Sequence, residues 1–360
     1  MTNRRSLQLL LCLAIAFACL PLPARAHNLP FSALALHVTE TGLDADFQAS
    51  TKDFAHDIGV PPPTLLQPAV LAAQKNAIMT TLNARLDIRA DGQKTPLVLR
   101  GIEPVPDRND VLLHLRANWP HPPEVLHVQG VLFPYDPRHK TFVNIYEDQT
   151  LKRQGILDAT IPGLDFQRGS RQSVGAVVAQ FIREGIHHIF LGPDHILFIV
   201  GLLLLGGSIK QLLKIVTAFT IAHSITLALA TLNIVNPPAR IIEPCIALSI
   251  VFVGVHSLTS KGARDPRLLF AFCFGFIHGF GFANALREMD LPRYALGWSL
   301  FSFNVGVEIG QMCIVLTVSP LLGLLRRRSD LVAHRVVLVG SLCVIVAGAF
   351  WFVQRAFFPS

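Results

Sequence analysis

The chain has 360 residues, 51% of them hydrophobic and 15% charged, with a mean hydropathy of +0.46. That balance excludes an ordinary soluble globular domain. The net charge of +7 falls in short stretches between apolar runs, so it reads as membrane topology and not as a nucleic-acid face.

The chain opens "MTNRRSLQLLLCLAIAFACLPLPARAHN". Arg4 and Arg5 precede an apolar run, and Ala24-Arg25-Ala26 follows it. This is the layout of a secretory signal peptide over 1–26, cleaved after Ala26.

Residues 27–170 are mixed in character and contain no cysteine, so no disulfide framework is available to them. "FSALALHVTETGLDADFQAS" alternates on both sides of Thr41-Gly42, and "DVLLHLRANW" and "EVLHVQGVLF" also alternate. "AVLAAQKNAIMTTLNARLDI" begins with helical spacing and ends strand-like. The expectation is a small β-rich extracytoplasmic domain, a sandwich with one helix.

The pattern changes after "DATIPGLDFQRGS". Residues 171–188 are amphipathic and are expected to lie along the membrane surface. Six apolar runs follow within 189–358, at about 189–207, 211–232, 241–258, 267–285, 295–322 and 332–356. Most come near the ~20 residues needed to span the hydrocarbon core. The expected fold is therefore a six-helix transmembrane domain behind the β-rich one. Lys210, Lys214, Lys261, Arg264, Arg267, Arg326, Arg327, Arg328 and Arg335 fall in odd-numbered loops. Positive charge marks the cytoplasmic side. The expected location is a bacterial-type inner membrane, with the N-terminal domain and the C-terminus outside the cytoplasm.

Ionisable groups interrupt these runs. Asp194 and His195 stand at the outer entrance of the first helix, His223 near the middle of the second, and Glu243 at the start of the third. His278 is central in the fourth, and Asn304, Glu308 and Gln311 form a stripe on the fifth. Each ionisable group costs about 2.5–3.5 kcal/mol if it faces lipid, so the set is expected to face the bundle interior. His188 and His195, seven apart, share a helix side. On a straight helix they would stand about 10 Å apart, and Gly192-Pro193 offers a bend that shortens this. Imidazole with carboxylate suits nickel, cobalt, zinc or iron, whereas calcium and magnesium prefer oxygen alone. The expected metal set is His188, Asp194, His195, His223, His278 and Glu308, with Glu243, Asn304, Gln311 and Ser224 as supporting polar groups. His187 is read as interfacial, and His256 and His334 as bystanders.

"HIFLGPDHILFIVGLLLL", "TAFTIAHSITLALA", "FGFIHGFGFA" and "FNVGVEIGQ", in this order, resemble the HupE/UreJ family, in its second branch with an exported N-terminal domain. The first family signature, a histidine and then Asp-His after five residues, matches His188, Asp194 and His195. The second matches at His278-Gly279, but Phe282 stands where that signature has a further histidine. The resemblance implies uptake of nickel or cobalt.

The leading expectation is a permease for a divalent transition-metal ion (nickel, cobalt or zinc). Its other partner is the lipid bilayer, with no nucleic acid; assembly into a homo-oligomer stays open. No GxxxxGK[ST] loop occurs, so no nucleotide is expected. The alternatives are an intramembrane zinc-dependent hydrolase, with His188, Asp194, His195 and His278 on zinc, Glu308 as base and Ser224 as helper, and a membrane sensor or assembly factor. A continuous polar path toward the cytoplasmic face would favour transport.

Overall fold

The computed structural model describes residues 31–170, 173–260, 265–281 and 293–358, with side chains from 296 onward in the last stretch. The signal peptide expected over 1–26, loop residues Lys261 and Arg264, and Phe282 lie outside the described residues. The chain divides into two compact units, one over Leu29–Val177 and the other from Val178 onward.

The first unit is β-rich. Strands β1 (Phe31–Val38) and β2 (Gly42–Ser50) pair antiparallel across a turn in which Thr39 N donates to Gly42 O at 2.9 Å. Their side chains alternate between buried and half-buried, as a strand with one covered face requires. Helix α1 (Thr51–Ile58) follows β2 directly, capped by Ser50, whose side chain accepts from Lys52 N. Eight residues are too few for a 3.6 period to stand out, which is why sequence reading expects one helix here and the unit also contains α1. Helix α2 (Pro68–Arg85) runs straight into β3 (Leu86–Ala90), the helix-to-strand change expected from the sequence.

The remaining strands are β4 (Gln93–Lys94), β5 (Val98–Val105), β6 (Asp110–Asn118), β7 (Val125–Gly130), β8 (Lys140–Glu147), β9 (Thr150–Leu157) and β10 (Gly163–Gln167). They form a six-stranded sheet in the order β5-β6-β2-β1-β8-β9 and a four-stranded sheet in the order β10-β7-β3-β4. The β1–β8 pair is parallel. Leu34, Phe47 and Leu113 from the larger sheet, Ile88, Val128 and Phe166 from the smaller, and Leu71 and Ile78 from α2 share one buried core.

A polar chain crosses this core. Ser32 Oγ lies 3.0 Å from His139 Nε2 and 2.8 Å from Thr141 Oγ1. His139 Nδ1 is 3.7 Å from Asp53 Oδ2, and Tyr135 donates its hydroxyl to Asp53 Oδ1. Burial pushes the Asp53 carboxyl up to about 6, helped by Asp136, Asp110 and Asp57 and opposed by the Tyr135 hydrogen bond. Burial pulls His139 down to about 4, against Asp136 and Asp57.

The second unit is helical. Helices α3 (Val174–Leu191) and α4 (Pro193–Leu204) meet at Gly192 with a bend of 71°. The remaining helices are α5 (Ile209–Thr231), α6 (Ala239–Thr259), α7 (Arg267–Gly281), α8 (Arg293–Arg328) and α9 (Asp330–Phe357). Among the described residues, α5, α6, α8 and α9 are long and apolar enough to cross a membrane, and the bent α3–α4 pair qualifies as a fifth crossing if taken as one span. Helix α7 is described over 15 residues, shorter than a full span. The expected boundary at 188/189 does not divide two elements, because α3 continues to Leu191 and the break comes at Gly192.

Arginines tie the helix ends together. Four carbonyls at the end of α4 would lack intrahelical partners. Arg267 Nη1, at the start of α7, donates to Leu202 O and Gly206 O, each at 2.7 Å. Arg326, near the end of α8, donates to Leu204 O at 2.7 Å and Leu205 O at 3.1 Å. These cations also face the negative end of the helix dipole. At the opposite end of α4, Arg355 near the end of α9 pairs with Asp194. The unit therefore has one end marked by Arg267 and Arg326 and another marked by the Asp194–Arg355 pair.

Candidate metal centre

The break at Gly192 builds the site. Pro193 occupies the first position of α4, where its missing N–H costs nothing. A β-carbon on Gly192 would stand 2.8 Å from His188 O and 2.9 Å from His195 Nδ1, so only glycine lets the turn close around the His195 ring. The bend brings the rings of His188, at the end of α3, and His195, in the first turn of α4, to 4.6 Å between centroids.

His223 joins them from α5, its ring 6.1 Å from that of His188 and 6.2 Å from that of His195. One nitrogen from each of the three lies within 4.8 Å of the others. All three are buried, with His223 fully enclosed. Among the described residues this is the one group of three or more metal-ligating side chains so close together.

The neighbours of His223 fix its tautomer. Asn304 Nδ2, on α8, donates to Leu300 O at 2.9 Å, which turns its oxygen toward the ring. His223 Nδ1 stands 3.3 Å from that oxygen and so carries the proton. Its buried Nε2 is left as a lone pair with no hydrogen-bond partner among the described residues. This is how an outer-shell group orients a ligating imidazole. Both ring nitrogens of His195 are likewise buried without such a partner.

His278, on α7, lies beside the trio, its ring 5.2 Å from that of His195. Ser249 on α6 spends its hydroxyl proton on Ile246 O at 2.7 Å, so the 2.9 Å contact with His278 Nε2 has the imidazole as donor. His278 Nδ1 is then the lone-pair nitrogen, buried without a partner. Close approach of α7 to α5 makes this placement possible: a β-carbon on Gly279 would stand 2.0 Å from Thr226 Oγ1 and 2.5 Å from His223 O.

The two carboxylates of the expected set go elsewhere. Asp194 accepts twice from Arg355 Nη2, at 3.0 and 2.9 Å. Glu308 Oε1 accepts from Thr217 Oγ1 of α5 at 2.6 Å, and its Oε2 is buried without a partner. Gln311 Oε1 accepts from Thr220 Oγ1 at 3.1 Å. Of the other supporting groups, Ser224 bonds back to Thr220 O in its own helix, and Glu243 receives Arg355 at its backbone carbonyl. Among the expected bystanders, His334 is exposed, and His256 lies against Phe252 and Phe270.

His223–Asn304, Thr220–Gln311 and Thr217–Glu308 thus form a polar file on the α5–α8 seam. It runs six residues of α5, about 9 Å, from His223 toward the end of that helix next to Arg267 and Arg326. Sequence reading does not single out Thr217, Thr220, Ser249 or Arg355. The steps of three in Thr217, Thr220 and His223 were a signal for two of them. Arg355 carries no such signal.

Neutral imidazoles are the donors that nickel, cobalt, copper and zinc accept, and they are poor ligands for calcium or magnesium. Ligands at about 2.0–2.1 Å from one ion in a tetrahedral site stand about 3.4 Å apart. Ring rotations of about 1 Å would therefore bring the trio onto an ion. Lone-pair nitrogens held in a buried site fit such a cation, since a buried unpaired polar atom otherwise costs about 1–3 kcal/mol.

No curated protein matches the chain. The family described as "HupE / UreJ protein" matches residues 167–355, just over half of the chain and nearly all of the helical unit. On that match, and with the helical unit and its histidine motifs in place, the chain belongs to the HupE/UreJ family.

Proposed function

We propose that this protein is a membrane permease for a divalent transition-metal ion of the nickel or cobalt class, with His188, His195 and His223 as its central binding site. One observation carries the reading: a buried three-histidine cluster continues into a file of polar side chains. Asn304, Gln311, Thr220, Glu308 and Thr217 extend it along one helix seam toward the Arg267/Arg326 end. A closed hydrolytic centre has no need of such a file, whereas an ion leaving the histidines needs successive polar partners. Membership in a family associated with nickel and cobalt transport supports the same reading.

The ion is cargo here. Neutral imidazoles bind it, and competition with protons assists its release. The arginine-marked end is cytoplasmic by the positive-inside rule. The reading takes six crossings, with both chain ends outside. Reporters fused at Lys261 and Ser360 should lie on opposite sides.

The test is direct. Purified full-length protein in detergent should bind about one nickel or cobalt ion per chain, and the same protein in liposomes should take the ion up. His195→Ala and His223→Ala should abolish both while keeping helix content. Wild-type protein that binds no transition metal would overturn the proposal. The hydrolase alternative has one supporting feature, a three-histidine cluster of the kind that leaves a fourth position open on zinc. Metal binding without uptake, combined with metal-dependent hydrolysis, would favour it.

A further inference from the structure

Arg355 is an unusual cation for a membrane helix. It is 9% exposed. Nη2 grips both oxygens of Asp194, at 3.0 and 2.9 Å, and Nη1 donates to Glu243 O at 3.3 Å. Its guanidinium lies 5.7 Å from the ring of Trp351, one turn earlier. A single side chain thus joins the start of α4, the start of α6 and the end of α9. Its Nε is buried without a hydrogen-bond partner among the described residues.

The charge at the metal centre gives this arrangement a purpose. Three neutral imidazoles offer a divalent ion no compensating charge, and an uncompensated buried charge is costly. A tetrahedral ion on three ligands also has one position left. Asp194 is the residue next to His195, in the first turn of the same helix. Without an ion, that carboxylate needs a cation of its own, and Arg355 provides one through a charge-assisted pair.

We infer that Arg355 is the stand-in counter-ion of Asp194 and competes with the cargo ion for that carboxylate. When the ion settles on His188, His195 and His223, Asp194 turns to it as the fourth ligand and leaves Arg355. The start of α4 is then unlatched from α6 and α9. Arg355 is a positioning residue that never touches the ion. This inference rests on the trio being a metal site, but not on transport.

The experiment uses full-length protein in detergent and nickel as the probe, with affinity measured by equilibrium dialysis. Arg355→Gln removes the competitor and should tighten binding about tenfold, the order expected for loss of one charge-assisted pair. Arg355→Lys keeps the charge but has no second nitrogen for Glu243 O, and should fall between. Asp194→Asn should weaken binding, and in that background Arg355→Gln should change nothing further. A merely structural ion pair would lower stability without tightening the site. If Arg355→Gln folds and binds no more tightly than wild type, the inference is wrong. It is equally wrong if the change still tightens binding in the Asp194→Asn background, since general repulsion by Arg355 would then be the cause.

A second measurement needs no variant. Hydrogen exchange of wild-type protein should rise on nickel addition in the last turn of α9 and the first turn of α6, while it falls around His195 and His223. Exchange that falls or stays level in those two turns would overturn the unlatching. Failure of wild-type protein to bind nickel at all would instead count against the metal site itself and would remove the basis for the inference.

Discussion

His188 and His195 are seven residues apart in the chain, and their rings lie 4.6 Å apart because the backbone turns through 71° at Gly192. A straight helix would hold them about 10 Å apart. The turn also puts one histidine at the end of a helix and the other at the start of the next, so the two can be adjusted separately.

Gly192→Ala should therefore damage the site without removing a ligand. Its β-carbon would press on His188 O and His195 Nδ1, at 2.8 and 2.9 Å. Nickel affinity should fall at least about tenfold, the size expected when ligand geometry is disturbed and the ligands remain. Equilibrium dialysis on protein with unchanged helix content checks this. Unchanged affinity would mean that the turn has slack.

On the proposed reading His188, His195 and His223 act as a unit. His188→Ala, His195→Ala and His223→Ala should each nearly abolish binding, and any double replacement should cost far less than the sum of its singles. His256→Ala is the control and should bind as wild type does, because that ring lies against Phe252 and Phe270 and not in the cluster.

Asn304 holds the proton of His223 on Nδ1. Asn304→Leu keeps much of the volume and removes this support, so affinity should drop by about 10–100-fold, the usual range for loss of an outer-shell partner. Asn304→Asp, which still accepts from Nδ1, should recover most of it. Equal losses in the two variants would assign Asn304 a packing role.

Glu308 and Thr217 lie below the trio on the polar file. Glu308→Gln keeps size and hydrogen bonding but removes the charge. It should slow liposome uptake by about tenfold or more while equilibrium binding at the trio changes little, a separation of rate from affinity. Parallel loss of binding and uptake would move Glu308 into the binding site itself.

In the β-rich unit, Asp53 and His139 should oppose each other in their response to pH. Asp53 is raised from 3.8 to about 6, so the fold holds its proton more tightly than the unfolded chain does, and its contribution falls as pH rises through that window. His139 is lowered from 6.5 to about 4, so its contribution falls as pH drops from 6.5 toward 4. Each is on the order of 3 kcal/mol at most, and together they leave wild type nearly flat between about pH 4 and 6. Asp53→Asn should expose the His139 slope, with stability lost on acidification. His139→Gln should expose the Asp53 slope, with stability gained. Urea midpoints read on buried Trp119, with Trp298 and Trp351 replaced by Phe, decide it. Identical slopes in the two variants would refute the pairing.

Local sequence settled what depends on neighbours along the chain. Alternation in "FSALALHV" and "GLDADFQAS" marked β1 and β2, the change of period before Leu86 marked the α2–β3 junction, and hydropathy located α5, α6, α8 and α9. The short α1 was below what periodicity can reveal. Polar residues inside apolar runs were visible too, since lipid penalises each of them wherever it sits. Their grouping was not legible. Whether Asp194 faces the histidines or Arg355, 161 residues away, depends on which helix ends pack together. Whether Glu308 meets His223 or Thr217 depends on the rotation of α8 against α5. The buried Asp53–His139 pair likewise arises only when α1 folds against the strands. Tertiary structure decides such pairings because a buried charge takes the partner that packing brings within about 3 Å, and packing is a property of the whole chain.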